Sequence, residues 1–502
     1  MMSTAYDYSL ETPASAFLAR PQQQLLIDGR RVPSVSGQTF KSLNPATEQV
    51  IATIAEGNEA DVDLAVASAR RAFEGPWRTM RAAERGHILL RWAELLKKHA
   101  DEIVEIESLD AGKPVAAVLR QDLPAAIDTL TYYAGWADKI GGDVISTRDD
   151  ALTYTVREPV GVVAAIVPWN FPLMIGMWKL APALACGCTV VMKPAELTSL
   201  SALRIGELAL EAALPPGVFN IVTGPGRTVG EALVNHPDVD KVTFTGSPGV
   251  GRGIMKGAAG NFKRVSLELG GKSANVIFDD ADLDAASKAA AAGIFFNAGQ
   301  VCSAGSRVLV QEKAYDEVVE RLTARAKALR IGDPLDRATV LGPVISEKQM
   351  KSILDYVDIG QKEGAFLTTG GERVGKRGYF ISPAVFADVK HEMRISQEEI
   401  FGPVVSVIKF KDETDALRLA NGTAYSLAAG VWSRDIGRVQ RFAKRARAGT
   451  VWINTYGYPM CGCRGEANAI PAWAESTARP HRILRSRRPS SDGHRSAQIM
   501  CR

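Results

Sequence analysis

Cysteine is scarce in this chain, at six in 502 residues. With no dense Cys framework, a disulfide-stapled secreted scaffold is excluded and a reducing cytoplasm is expected. Long apolar runs are also missing. No stretch reaches the roughly 18 consecutive apolar residues of a membrane helix. The opening "MMSTAYDYSLETPASAFLAR" carries acids and lacks the positive-then-apolar order of a secretion signal. Histidine is rare too: six residues are scattered along the chain, and none forms a zinc spacing with cysteine, so no metal centre is expected. A basic stripe is absent from the body. The net charge is +4, but residues 460–502 hold eight arginines against three acids, a balance of +5 that leaves −1 on the first 459 residues. A nucleic-acid partner is therefore not expected. The odd segment is the tail.

What is present is ordinary globular material, 46% apolar and 23% charged, in a chain long enough for two or three domains. "QLLIDGRRV" (24–32) reads as a hairpin. Residues 60–74 and 83–108 carry helical periodicity. From residue 160, strands and helices alternate: "VGVVAAIVPWN", a helix opened by Pro172, "CTVVMKPAE", a helix from about Ser199, then "VFNIV", "KVTFTGS" and "RVSLEL". A second series runs through "SANVIFDD", "SRVLVQ", a helix at 313–329, "GPVVSVIKF" and "GTVWIN". Alternation of this kind implies two α/β domains with parallel sheets covered on both faces. The polar, hairpin-like piece at 141–159 interrupts the first domain and reads as a projecting arm.

Ligands of open parallel sheets bind beyond the carboxyl ends of the strands, and four segments fall there. "TFTGSPGVG" puts Gly246 and Ser247 at a helix start, either a plain turn or a cradle for phosphate. "MKPAE" offers Lys193 and Glu196, a solvated pair or a carboxylate for ribose hydroxyls that would favour NAD over NADP. "SLELGG" holds Glu268 between two apolar strands, a salt-bridge partner or a partly desolvated general base. "PWNFP" offers Asn170, a turn residue or an amide donor to an oxyanion. Cys302 in "FNAGQVCSAGSR" is alone a bland buried thiol. Together the five supply the parts of one reaction, in which a thiolate adds to a carbonyl, hydride leaves to a nicotinamide and activated water releases an acid.

With "VPWNFPL", "KLAPALACGCTVVMKPAE", "TFTGS", "LELGGKSA", "GQVCSAGSR" and "EEIFGPV" in order, the chain resembles the NAD(P)-dependent aldehyde dehydrogenase superfamily from about residue 24 to 457. Its overall look is nearest to the betaine-aldehyde and phenylacetaldehyde branches. The resemblance implies an α/β fold with a Rossmann-like cofactor domain (21–140 and 160–269), an α/β catalytic domain (270–458) and a small β oligomerisation arm (141–159), behind a flexible N-terminus (1–20). It implies Cys302 as nucleophile, Glu268 as base, and the Asn170 side chain with the Cys302 N–H as oxyanion hole. Lys193 and Glu196 would hold the adenosine ribose, Gly246 and Ser247 the pyrophosphate, and Glu399 the nicotinamide ribose, with Phe401 and Trp169 beside the cofactor. Pro248 stands where the family commonly has a hydrogen-bonding residue. The implied cofactor is NAD, with NADP less favoured, and the implied assembly is a homodimer or homotetramer. Met174, Trp178, Phe296 and Val301 are candidate tunnel residues, which suits an uncharged aliphatic or aromatic aldehyde. Acyl transfer to coenzyme A is the weaker reading, because Glu268 supplies a hydrolytic base. Cys186 and Cys188 read as core residues.

The likeness stops after "AGTVWINTYGYP". The family continues with a Pro-Trp-Gly-Gly segment and a Ser-Gly-x-Gly-Arg-Glu loop, whereas residues 459–502 have no strand pattern and read as disordered. Reverse translation of "MCGCRGEANAIPAWAESTA" one nucleotide earlier permits D-V-R-L-P-W-G-G-E-R-D-S-G-L-G-R-E-H-G, with the valine forced. The expectation is a lost nucleotide near codon 459. Its alternative consequence is a catalytically impaired nucleotide-binding relic that lacks a pocket wall and an oligomerisation strand.

Overall fold

The computed structural model describes residues 11–148, 150–457 and 484–485. Two seven-stranded sheets organise them. In the first, five strands run parallel in the order Arg264–Glu268, Lys241–Thr245, Val162–Ile166, Thr189–Lys193, Phe219–Ile221. The hairpin of Leu25–Ile27 and Arg30–Val32 joins antiparallel at the far edge. Four of the five parallel strands are buried at every position, the pattern of a sheet covered on both faces. Strand order reverses between Val162–Ile166 and Lys241–Thr245, so a crevice opens beyond their carboxyl ends.

The second sheet runs Phe366–Thr369, Ala384–Ala387, Val404–Phe410, Arg307–Gln311, Ala274–Ile277, Ala428–Trp432, Thr450–Ile453. All its pairings are parallel except the first. The loops that enter these strands, at 270–273, 302–306 and 399–403, lie at their amino ends. The arm is a separate hairpin, Val144–Arg148 with Ala151–Tyr154, with Val144 and Leu152 well exposed.

Three expectations need correction. The periodic run 83–108 is two helices, Ala82–Lys98 and Ala100–Ala111. His99 (φ −100°, ψ 25°) leaves helical geometry between them, although the apolar spacing continues across the break. Residues 11–20 are anchored: Phe17 is buried, its carbonyl accepts from Gln23 Nε2 (2.7 Å), and Arg20 pairs with Glu207 (2.5 Å). Apolar burial and an ion pair hold the part of 1–20 that was expected to be flexible. The remaining calls on 1–10 and on the tail lie outside the described residues, save at Leu484–Arg485. That dipeptide pairs antiparallel with Glu158–Pro159 at the foot of the arm, where an edge backbone takes an extended partner.

Candidate active site

The first sheet contributes its carboxyl ends. Strand Val162–Ile166 runs into Trp169 and Asn170 before Pro172 opens the helix Pro172–Ala185. Strand Thr189–Lys193 ends on Lys193, whose buried ammonium donates to the Pro194 carbonyl (2.9 Å) and to Glu196 Oε2 (3.4 Å). Glu196 Oε1 accepts from Gly226 N–H (2.7 Å). Burial opposes ionisation of Glu196, but the Lys193 charge and these N–H donors hold its carboxyl below the ordinary range. Strand Lys241–Thr245 leads through Gly246 to Ser247, which caps the helix Pro248–Ala258 by accepting from Val250 N–H (3.5 Å). Pro248 takes the first helical position, where a missing N–H costs nothing. Gly246 N–H donates to the Glu268 carbonyl (3.0 Å), tying the turn to the last strand.

The second sheet contributes its amino ends, and they are irregular. After the helix Leu283–Phe295, residues Asn297, Ala298 and Gly299 are all left-handed (φ 50°, 53° and 72°), an arrangement costly for the two non-glycine residues. The turn is held by the Asn297 amide, which donates to the Asn170 carbonyl (3.0 Å), and by the Asn170 amide, which donates to the Gln300 carbonyl (2.9 Å). It delivers Cys302 half-buried beside the 270–271 loop. A Cβ at Gly271 would collide with the Cys302 carbonyl, so that position needs glycine, and one at Gly270 would push the Glu399 carboxylate aside. Glu399 accepts from Gly271 N–H (3.0 Å), and burial pushes its carboxyl up to about 7 against that bond and the Lys272 charge. Phe401 (φ 55°) packs edge-to-face on Trp169 with ring centres 5.2 Å apart, joining the two edges.

Cys302 opens into a cavity of about 550 Å³. All four tunnel candidates, Met174, Trp178, Phe296 and Val301, line it. Glu268, 8% exposed, lines a neighbouring cleft with Gly270, Tyr425 and Arg447. Its charge nevertheless reaches the thiol: burial first, then Glu268 and Glu399, push Cys302 up to about 12. Cys186 and Cys188 are buried and their thiols are raised by burial, as core residues should be. Among the described residues no His/Cys/Asp/Glu group could hold a metal ion, and no helix is long and apolar enough to cross a membrane.

Sequence reading missed several participants. Tyr456 lines the cavity and its hydroxyl donates to the Ser303 carbonyl (2.9 Å); its place just after the strand Thr450–Ile453 was the available signal. Gln300 braces the Cys302 loop, accepting from Ile345 N–H through its side chain (2.9 Å). Lys179, on the buried side of the Pro172 helix, donates to Thr243 (3.2 Å) and Thr245 (2.8 Å). Burial lowers its ammonium to about 7 against the pull of Glu268. Nothing in a helix that is buried almost throughout marks that lysine beforehand.

Known proteins match this arrangement closely. The sequence model described as Aldehyde dehydrogenase family matches residues 32–463 and so ends four residues after Pro459, where the motif likeness stops. An aldehyde dehydrogenase of Emericella nidulans is 50% identical over 449 residues, covering 89% of this chain and 90% of its own. The NAD+ complex of an aldehyde dehydrogenase from Bacillus cereus is 47% identical with a TM-score of 0.88, covering 90% of this chain and 92% of its own. A betaine aldehyde dehydrogenase from Staphylococcus aureus, solved with NAD+, is 42% identical with a TM-score of 0.87, covering 90% and 91%. These matches span nearly the whole described body, and the chain belongs to the aldehyde dehydrogenase family.

Proposed function

We propose that the chain oxidises an uncharged aliphatic or aromatic aldehyde to its carboxylic acid with NAD, using Cys302 as nucleophile and Glu268 as base. The carrying observation is Cys302 at the wall of an apolar cavity, two residues after the Gln300 carbonyl that receives the Asn170 amide. Residues present suit the cofactor. Glu196 and Glu399 offer carboxylates for the two riboses, Ser247 caps an exposed helix start for the pyrophosphate, and Trp169 and Phe401 form an aromatic corner between the sheet edges. The chemistry NAD supplies when bound is acceptance of a hydride.

The protein does the rest. The Cys302 sulfur bonds to the aldehyde carbon as its proton passes to water. The negative oxygen is held by the Cys302 N–H and the second amide hydrogen of Asn170, the first being given to Gln300. Loss of hydride leaves a thioester. Glu268 then takes a proton from water, hydroxide adds to the thioester carbon, the C–S bond breaks, and carboxylate and thiol remain. A thiol near 12 is protonated at neutral pH, so the resting site is guarded and adding to an aldehyde requires a proton acceptor.

The cavity favours neutral substrates. Phe171, Met174, Trp178, Phe296 and Trp452 dominate its wall, and of the cations that also reach it Arg325 is paired with Asp284 (2.7 Å) and Lys288 is exposed. NADH formation from purified chain tests the reading, and phenylacetaldehyde should give a higher kcat/KM than succinic semialdehyde. The reverse ranking sinks the substrate class; no turnover of either sinks the activity. Exposed Val144 and Leu152 on the arm support a homodimer or homotetramer, and the scarce cysteines a cytoplasmic site. The change of frame near codon 459 belongs to the same reading, supported by the family match ending at residue 463. The nucleotide sequence there decides it.

A further inference from the structure

Behind the cavity wall lies a set of buried charges that the reaction does not use. Lys113, Asp122 and Glu107 are each fully or almost fully buried. Lys113 and Asp122 form an ion pair with no exposed side-chain surface on either partner. Replacing such a pair with well-packed apolar side chains is often neutral or stabilising, so its presence calls for a role beyond stability. The Lys113 ammonium stands 3.8 Å over the centre of the Phe171 ring. Phe171 lines the cavity and Lys113 does not, so the ring stands between the charge and the substrate space. The same ring stacks on Phe296, another wall residue, with centres 6.2 Å apart and planes 21° from parallel.

The backbone is shaped to bring these groups together. Residues Val118–Asp122 form a π-helical turn, in which Leu123 N–H donates to the Val118 carbonyl five residues back. Insertions of this type concentrate at functional sites. Here the turn sets Gln121 into the cavity wall and Asp122 onto Lys113. Glu107 completes the set: its Oε1 accepts from Leu173 N–H (3.4 Å) in the first turn of the helix that carries Met174 and Trp178. Burial pushes its carboxyl up to about 7, against the pull of Lys113. Among the described residues Asp122 Oδ1 has no hydrogen-bond partner, and Lys113 is the compensating charge for both carboxylates.

We propose that Lys113 is a positioning residue for substrate specificity: clamped by Asp122, it fixes the Phe171 ring as the wall on which an aromatic or bulky apolar aldehyde packs. The proposal rests on the reading of the Cys302 cavity as the aldehyde site. A desolvated ammonium over a ring is a strong and directional contact, whereas an apolar neighbour would let the ring turn. Loss of the clamp should therefore be felt by a substrate that uses the wall and hardly at all by one that does not.

The test is steady-state kinetics of K113M with phenylacetaldehyde and with acetaldehyde, whose single methyl group offers the wall little surface. Methionine keeps the length of the side chain and removes its charge. KM for phenylacetaldehyde should rise about tenfold, the size of a lost desolvated cation–π contact, with kcat changed less. The kcat/KM for acetaldehyde should stay within about threefold, and K113R should recover most of the phenylacetaldehyde KM because guanidinium also stacks on aromatic faces. Parallel losses for both aldehydes would show a merely structural role and overturn the proposal, as would unchanged kinetics for both. If K113M does not fold, D122N carries the same comparison, since it removes the anchor's charge at constant size. Wild-type chain that oxidises neither aldehyde would instead defeat the reading of the cavity, a failure visible before any variant is made.

Discussion

The two sheet edges that meet at the site are built in opposite ways. The carboxyl edge of the first sheet presents Lys193, Glu196 and Ser247 on regular strand-to-helix junctions, with a capped helix start and a short ion pair. The amino edge of the second presents Cys302 and Glu399 from loops that need three successive left-handed residues and a glycine in close approach. Binding groups can ride on ordinary geometry because a cofactor offers many contacts and tolerates small errors in each. The proposed nucleophile needs one correct position, and strain braced from several sides suits a group that must be fixed. The contrast is broken most directly at the sulfur. C302A should lower turnover by at least about a thousandfold, as loss of a covalent nucleophile does, while NAD still raises the unfolding temperature as it does for the parent. Substantial residual turnover, or lost NAD binding, would blur the division between the two edges.

Glu268 sits where the edges join, and its replacement should separate two of its effects. E268Q removes the water-activating base, so steady-state kcat should fall about a hundredfold or more, with a burst of NADH that survives because thioester formation precedes hydrolysis. The same change removes a negative charge that raises the thiol. Since Cys302 lies at about 12, its thiolate fraction, and with it the rate of iodoacetamide alkylation in cofactor-free protein, should climb tenfold per pH unit between pH 7 and 10. In E268Q that whole line should lie higher at every pH. A slower reaction at pH 8 would mean that Glu268 acts on the resting thiol as a base and not as a repelling charge.

The same contrast governs how much could be read from the sequence. The strands of both series, the Pro172 helix and the arm were legible because apolar runs, Gly and Pro mark them without help from the rest of the chain. The residues proposed to hold the cofactor were marked in the same way, standing at the ends of such strands. The brace around Cys302 was not: Asn297, Gln300 and Tyr456 act through contacts with residues 127, 45 and 153 positions away. No local pattern encodes a partner at that distance. The break at His99 was missed because apolar residues continue through both helices, and the anchored residues 11–20 because their partners, Glu105 and Glu207, lie far along the chain.

On the binding edge the effects should be smaller and fall on affinity. E196Q exchanges a carboxylate for an amide at the proposed ribose contact, and hydrogen bonds to charged groups are worth about 1.5–3 kcal/mol. KM for NAD should rise about tenfold or more with kcat nearly unchanged. NADP should lose less, because the repulsion of its phosphate by Glu196 disappears along with the hydrogen bond. Equal losses for both cofactors would place the adenosine ribose elsewhere.

The finest version of the comparison sets one hydroxyl on each edge against the other. Ser247 caps a helix start by a single long bond to Val250 N–H (3.5 Å), whereas Tyr456 holds the residue after the nucleophile by a bond of 2.9 Å. Each deletion removes a bond worth about 0.5–1.5 kcal/mol, a change of about two- to tenfold. If the edges divide the work as their geometry implies, the similar energies should appear in different constants. S247A should raise KM for NAD and spare kcat, because the helix start only receives the cofactor. Y456F should lower kcat and spare KM for NAD, because a loosened Ser303 carbonyl lets the Cys302 loop drift from its one productive position. The Y456F effect should also be the larger of the two, since Tyr456 is buried, its ring packs against Gly293, Gly305 and Gly430, and its bond is the shorter. Matching effects on the same constant would mean that the Cys302 loop owes its position to its own backbone and not to the residues that brace it.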